Sequence, residues 1–248
     1  MSFVISHRGA NKEAPENTLS AFRKSLALGV DGFENDVHLT KDGRLVVCHD
    51  ETLERTSNGK GRICDHSFEA LRRLDFGSWF APEFTGEKIP SLEEFFALCA
   101  NLKIINVELK RAPDGSTAAA PATVQMAKAF GLFDRLIVSS FDMTMLLACT
   151  DCDPATRTAY LYNDLELPLV KELHASMKDF AVKYHLAALH PFFGALTAEY
   201  IAEAHAAGLM VNPWTVNQHH ALELLRDWGA DGVITDQPAL AMEVARTA

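Results

Sequence analysis

No stretch of this chain reaches the ~18 consecutive apolar residues of a membrane span, which argues against stable membrane association. The opening residues, Met1 to Gly9, lack a basic segment and a long apolar core, so they do not read as a secretory signal. Cysteine is scarce. The five present, Cys48, Cys64, Cys99, Cys149 and Cys152, are odd in number and scattered, which excludes a disulfide framework and suggests reduced thiols in a cytoplasmic protein. The lone Cys149-Thr-Asp-Cys152 has no second pair and no thioredoxin-like context, so buried or incidental thiols are the expectation. Positive charge is also short: 23 Lys and Arg face 33 Asp and Glu, a formal net charge of −10. That balance argues against a nucleic-acid binder, though a locally positive site for a small anion stays open. Low-complexity segments and linkers are missing too.

The rest is ordinary globular material, 48% hydrophobic and 23% charged over 248 residues. A chain of this size buries about 70–75% of its unfolded surface, enough to fold without cross-links. Short apolar runs alternate with longer amphipathic stretches. Strand patterns fall at Phe3 to Ser6, Gly32 to Val37, Lys103 to Leu109, Leu136 to Ser140, Thr158 to Leu161, Leu186 to His190, Leu209 to Trp214 and Gly232 to Thr235. Helical patterns sit between them. Thr18 and Gly29 bracket the first, Ser91 and Glu94 form a capping box, Asn217 and Asp236 read as N-caps, and Gly208 and Gly229 read as stops. Eight strand–helix units predict a parallel sheet covered on its faces, and the length suits a (β/α)8 TIM barrel spanning residues 1–248. An open doubly wound sheet is the alternative, weakened because no GxGxxG follows an early strand. Residues 38–89 break the rhythm. They open with the turn signal Thr40-Lys-Asp-Gly43 and read as an insertion in the β2–α2 loop, on the face where such barrels carry function.

Polar residues at strand ends are therefore the ones to examine. His7-Arg8-Gly9 ends the first strand. On the second, Glu34 and Asp36 share a face by the two-residue period, with Phe33 and Val37 opposed; on the third, Glu108 and Lys110 point inward and Leu109 outward. Three converging carboxylates repel unless a cation or a proton intervenes. As an all-oxygen set they suit Mg²⁺ or Ca²⁺ rather than zinc. A solvated strand end with an internal Glu108–Lys110 pair is the competing interpretation. His49-Asp50 closes the extra hairpin. Two histidines flanking an acidic site, with Arg8 and Lys110 beside them, provide what diester cleavage needs: proton transfer and charge neutralisation.

His7-Arg-Gly, Pro15-Glu-Asn-Thr18, Glu34-x-Asp36, Thr40-Lys-Asp-Gly43, His49-Asp50, Ile89-Pro-Ser-Leu-Glu-Glu94, Glu108-Leu-Lys110, Ser139-Ser-Phe141, Trp214-Thr-Val-Asn217 and Asp231 to Pro238 stand in one order. Together they closely resemble the glycerophosphodiester phosphodiesterase family. The resemblance implies a distorted TIM barrel, with the His49 hairpin as its characteristic insertion. It implies hydrolysis of a small-molecule glycerophosphodiester to sn-glycerol 3-phosphate and an alcohol, with a divalent metal. By the same resemblance, Glu34, Asp36 and Glu108 are the metal ligands, His7 the general base and His49 the general acid. Arg8 and Lys110 bind phosphate, and Trp214 forms an aromatic wall near the glycerol. Asn35 departs from the family's usual apolar residue but faces away from the site by parity. The compact length resembles cytoplasmic members.

Lesser candidates are His190 and Phe141 as pocket residues, Glu16 as a partner of the metal or of Arg8, and Trp79 and Phe80 as a cover for the alcohol. Each is equally open to a packing role, and His219 and His220 read as surface residues. A lysophospholipase D on the same chemistry is the nearest rival; it requires an apolar groove for an acyl chain. An enolase-type lyase would use a Lys or His base on an enediolate, and the two histidines with Arg8 favour phosphate instead. A catalytically dead binding protein would have lost a histidine or a carboxylate, and none is missing. A homo-oligomer is left open.

Overall fold

A computed structural model of the chain describes residues 3–163 and 167–246. The strands are β1 (Phe3–His7), β2 (Gly32–Leu39), β3 (Leu45–Val47), β4 (Ile104–Leu109), β5 (Leu136–Ser140), β6 (Thr158–Tyr162), β7 (Leu186–Pro191), β8 (Met210–Val211) and β9 (Gly232–Thr235). All but β3 form one parallel ladder in the order β8-β7-β6-β5-β4-β2-β1-β9, and β3 pairs antiparallel with β2. Backbone bonds close the cylinder between its two ends: Asp231 N–H donates to the Val211 carbonyl at 3.1 Å, and Ile234 N–H to the Pro213 carbonyl at 2.9 Å. The expected eight-stranded barrel is thus the observed one.

Around it pack α1 (Leu19–Leu28), α2 (Phe68–Leu71), α3 (Leu92–Leu98), α4 (Ala119–Ala129), α5 (Met143–Cys152), α6 (Pro168–Ala175), α7 (Met177–Tyr184), α8 (Ala198–Ala206), α9 (His219–Asp227) and α10 (Pro238–Arg246). Among the described residues no helix is long and apolar enough to cross a membrane. The Thr18 hydroxyl caps α1, and Gly29 ends it in the left-handed conformation. Ser91 and Glu94 make the expected capping box at α3.

The two-residue period sorts the side chains. Outward residues of β2 meet the helices: the Phe33 ring lies 5.1 Å from Phe22 and 6.0 Å from Phe95. Each such ring contributes about 1.5–3 kcal/mol on burial. Inward residues Ile5, Ile104, Ile137, Ala159, Ala188 and Ile234 fill the barrel. Asn35 lies on the outward side as parity requires, and is fully buried.

Three local expectations need correcting. β8 is two residues long rather than six, because Pro213 has no N–H to continue the ladder. Two helices, not one, follow β6. Asn217 and Asp236 do not cap helices: Gln218 precedes α9 without a side-chain cap, and Asn217 Nδ2 donates instead to Asp236 Oδ2 at 2.9 Å. Segment 38–89 has a small apolar cluster of its own, built from Val46, Cys48, Leu53, Ile63, Leu71, Phe76 and Ile89.

Candidate active site

The site starts with a backbone bend. After His7, Arg8 takes φ 57° and Gly9 φ 81°. A Cβ at Gly9 would sit 2.6 Å from the Ala21 Cβ, so the bend admits only glycine there. The turn lets the Arg8 N–H reach the Glu34 carbonyl at 3.0 Å and sends its guanidinium over the second strand.

There Glu34, Asp36 and Glu108 each place a carboxylate oxygen within 4.8 Å of the other two, and all three side chains are buried. Asp36 is the most heavily compensated. Its Oδ2 accepts from Asn17 Nδ2 at 2.7 Å and lies 3.2 Å from Arg8 Nε; its Oδ1 lies 2.8 Å from Lys110 Nζ. Lys110 also pairs with Glu108. The internal Glu108–Lys110 pair and the carboxylate cluster, set against each other by the sequence, therefore coexist.

Burial would raise Asp36, but Lys110, Arg8 and His49 override it and hold the group well below the usual carboxylate range. Glu34 goes the other way: burial, then the charges of Asp36 and Glu108, push it well up. Burial drives Glu108 up to about 7, despite Lys110. Arg8 and Lys110 together do not neutralise three buried carboxylates. Closely spaced, dry oxygen donors of this kind fit a hard divalent cation.

Both histidines are oriented in the same way. His7 Nδ1 lies 2.6 Å from Asp236 Oδ1, and His49 Nδ1 lies 2.7 Å from Asp50 Oδ1. A carboxylate acceptor at Nδ1 selects the tautomer with its proton there and leaves Nε2 unprotonated in the neutral ring. His7 Nε2 is 3.9 Å from Glu34 Oε2, beside the acidic cluster. Burial is the largest influence on His49 and lowers its pKa, against the charge of Asp36, which raises it. Asp236 is held far down: burial opposes its charge, but His7, Asn11 and Asn217 all favour it.

A cavity of about 120 Å³ brings together His7, Arg8, Glu34, His49 and Glu108. Its other wall is apolar, with Phe141, Leu161, Trp214 and Ile234, and Asn106 also lines it. Phe141 stands edge-on to Trp214 at 5.5 Å, and Phe192 continues the row at 6.1 Å from Trp214. The cavity is thus charged on the β1–β4 side and aromatic on the β5–β8 side. Lys110 reaches the site through Asp36 and Glu108. His190 is fully buried and outside the cavity lining, with its carbonyl accepting from Trp214 Nε1 at 2.8 Å. Glu16 contacts Arg8 Nη1 at 3.1 Å. Trp79 stands edge-on to Phe80 at 5.7 Å, and Phe80 edge-on to Phe84 at 5.6 Å, within the insertion and away from the cavity lining.

Four participants were not foreseen as site residues: Asp236, Asn17, Arg55 and His38. Asp236 is in phase with inward Ile234, a signal that its apparent capping position obscured. Asn17 lies inside the Pro15-Glu-Asn-Thr18 motif, whose local pattern marks a helix start and not a contact with Asp36. His38 continues the Glu34–Asp36 face of β2 at the two-residue period and lies by its Nε2 3.1 Å from the His49 carbonyl, whereas Arg55 sits in the irregular part of the insertion, with its guanidinium on Asp50 and Glu16.

Residues 7–240 match the model of the glycerophosphoryl diester phosphodiesterase family. A glycerophosphodiester phosphodiesterase of Caldanaerobacter subterraneus subsp. tengcongensis is 35% identical over 246 residues, covering 99% of this chain and 98% of that one. One from Bacillus subtilis is 32% identical, covering 98% and 86%. Among solved structures, an Oleispira antarctica phosphodiesterase in complex with the product sn-glycerol-3-phosphate superposes with a TM-score of 0.88 at 28% identity, covering 99% and 97%. The Thermotoga maritima glycerophosphodiester phosphodiesterase gives a TM-score of 0.77 at 32% identity, covering 98% of each chain. With the fold, the acidic cluster and these similarities in agreement, the chain belongs to the glycerophosphoryl diester phosphodiesterase family and is an enzyme of that class.

Proposed function

We propose that this enzyme hydrolyses glycerophosphodiesters to sn-glycerol 3-phosphate and an alcohol, with His7 and His49 exchanging protons across a diester bound over Glu34, Asp36 and Glu108. The observation that carries this reading is the pair of carboxylate-held imidazoles beside a buried carboxylate triad in one cavity. The product bound by the Oleispira relative supports the substrate class. The whole chain works as one catalytic unit in this reading, with segment 38–89 contributing His49.

A divalent cation held by the triad, Mg²⁺ or Ca²⁺, supplies Lewis-acid stabilisation of charge on oxygen. The protein supplies the rest. Arg8 and Lys110 offset charge growing on the phosphoryl oxygens. His7, held by Asp236, accepts a proton at Nε2 from the glycerol 2-hydroxyl, which attacks phosphorus. His49, held by Asp50, donates a proton to the departing alcohol. The cyclic phosphate is then opened by water, with the two histidines reversing roles. An intramolecular hydroxyl gains an effective molarity of up to about 10⁵–10⁸ M when aligned, which favours this route over direct attack by water. Trp214 and Phe141 wall the glycerol side.

The purified protein is assayed on choline, ethanolamine, glycerol and inositol glycerophosphodiesters, with and without EDTA. Turnover that EDTA abolishes and a divalent cation restores is the expected result; full activity in metal-free protein overturns the metal assignment. One observation favours a second reading, a lysophospholipase D-type activity: Phe141 is 44% exposed and Phe192 40% exposed, both against Trp214, an apolar rim fit for an acyl chain. Lysophosphatidylcholine in vesicles tests it directly.

A further inference from the structure

Arg55 touches neither the carboxylate triad nor the cavity, yet both of its edges are occupied by site carboxylates. Its Nε and Nη2 donate to Asp50 Oδ2 and Oδ1 at 2.6 and 2.9 Å. Its Nη2 and Nη1 donate to Glu16 Oε1 and Oε2 at 2.8 and 2.9 Å. Each partner leads back to the site. The Asp50 Oδ1 that Arg55 holds also receives His49 Nδ1, and the Glu16 Oε1 that it holds also receives Arg8 Nη1. An unbroken chain therefore runs His49–Asp50–Arg55–Glu16–Arg8–Asp36, joining the insertion to the β1–α1 loop. At its other end His49 is tied through its carbonyl, 3.1 Å from His38 Nε2.

We propose that Arg55 is a positioning residue: through Asp50 it fixes the working direction of the His49 imidazole, and through Glu16 it keeps that imidazole in register with Arg8. This rests on the role given to His49 above. Geometry distinguishes the arrangement from an ordinary surface ion pair, which contributes little. A planar fork serves two carboxylates at once, and a lysine, with one compact charge, cannot form both pairs. Without Arg55, Asp50 is left with His49 alone and turns into solvent with it. Arg55 itself is 44% exposed, so the fold does not depend on burying it.

The experiment compares Arg55→Ala, Arg55→Lys, His49→Ala and the Arg55→Ala/His49→Ala double variant on sn-glycero-3-phosphocholine with saturating divalent cation. Arg55→Ala is expected to lower kcat by about 10–100-fold, the usual cost of losing a group that orients a site residue, with KM nearly unchanged. Arg55→Lys recovers only part of the loss. Millimolar guanidinium partly rescues Arg55→Ala, and the double variant is no slower than His49→Ala. Wild-type kcat in Arg55→Ala, full activity in Arg55→Lys, or losses that multiply in the double variant overturns the proposal. If His49→Ala retains wild-type kcat, the role of His49 falls first, and independently. If Arg55→Ala fails to fold, Arg55→Lys and its double with His49→Ala decide by the same criteria.

Discussion

His190 supports a quantitative stability prediction. Its ring is fully buried, and Asn212 Nδ2 donates to its Nε2 at 3.1 Å. That contact puts the ring proton on Nδ1, which has no hydrogen-bond partner among the described residues. Burial pushes the pKa from 6.5 down to about 3. Above pH 6.5 the ring is neutral in both folded and unfolded chains and costs nothing. Between 6.5 and about 3 the unfolded chain takes up a proton that the folded one refuses, so stability falls as the pH drops. The slope is about 1.4 kcal/mol per pH unit. Acidification from pH 6.5 to 4.5 removes about 2.3 kcal/mol, a sizeable share of the roughly 5–15 kcal/mol that holds a domain folded. His190→Gln keeps an acceptor for Asn212 and removes the titration. Urea unfolding followed by Trp fluorescence, at about pH 6.5 and 4.5, measures both proteins. The variant is expected to lose about 2–3 kcal/mol less than the wild type over that interval. Parallel losses in the two proteins would refute the assignment of a buried neutral imidazole.

Other outcomes follow from the same geometry. Asp236→Asn replaces the acceptor of His7 Nδ1 with an amide and is expected to lower kcat by about 10²–10⁴-fold with little change in urea midpoint; wild-type kcat contradicts the orienting role. Glu34→Ala, Asp36→Ala and Glu108→Ala should each weaken divalent-cation binding measured by calorimetry, and unchanged affinity in all three removes the triad as the metal site. A 2-deoxy glycerophosphodiester is expected to bind yet turn over at least about 10³-fold more slowly, and rapid cleavage would leave direct water attack. Phe95→Ala, in the ring cluster with Phe22 and Phe33, is expected to cost about 3–5 kcal/mol in urea unfolding without altering KM.

The sequence was most legible where a period met a chemical contrast. Glu34 and Asp36 alternate with Phe33 and Val37, so one strand declared its polar and apolar sides, and the carboxylate cluster followed. The helix boundaries at Thr18, Gly29 and Ser91 were equally plain, because caps satisfy local backbone groups. Contacts that depend on distant pairing were not legible. Asp236 meets His7 across 229 residues of chain, and alone it has the local look of a cap. Arg55 sits in an irregular loop whose path has no periodicity. The shortening of β8 had a visible cause in Pro213, outweighed in the reading by the apolar run around it.

The dyad of His7 and Asp236 carries a consequence for biosynthesis. By residue 110 a ribosome has already delivered His7, Arg8, Glu34, Asp36, His49, Glu108 and Lys110. Yet β1 keeps one open edge until β9 arrives to pair with it, Phe3 against Gly232 through Ser6 against Thr235. The carboxylate that orients His7 follows that last strand by a single residue. A nascent chain therefore has its three clustered carboxylates early and gains the carboxylate partner of His7 only when the cylinder shuts. Until then the open edge of β1 is free to pair with other chains.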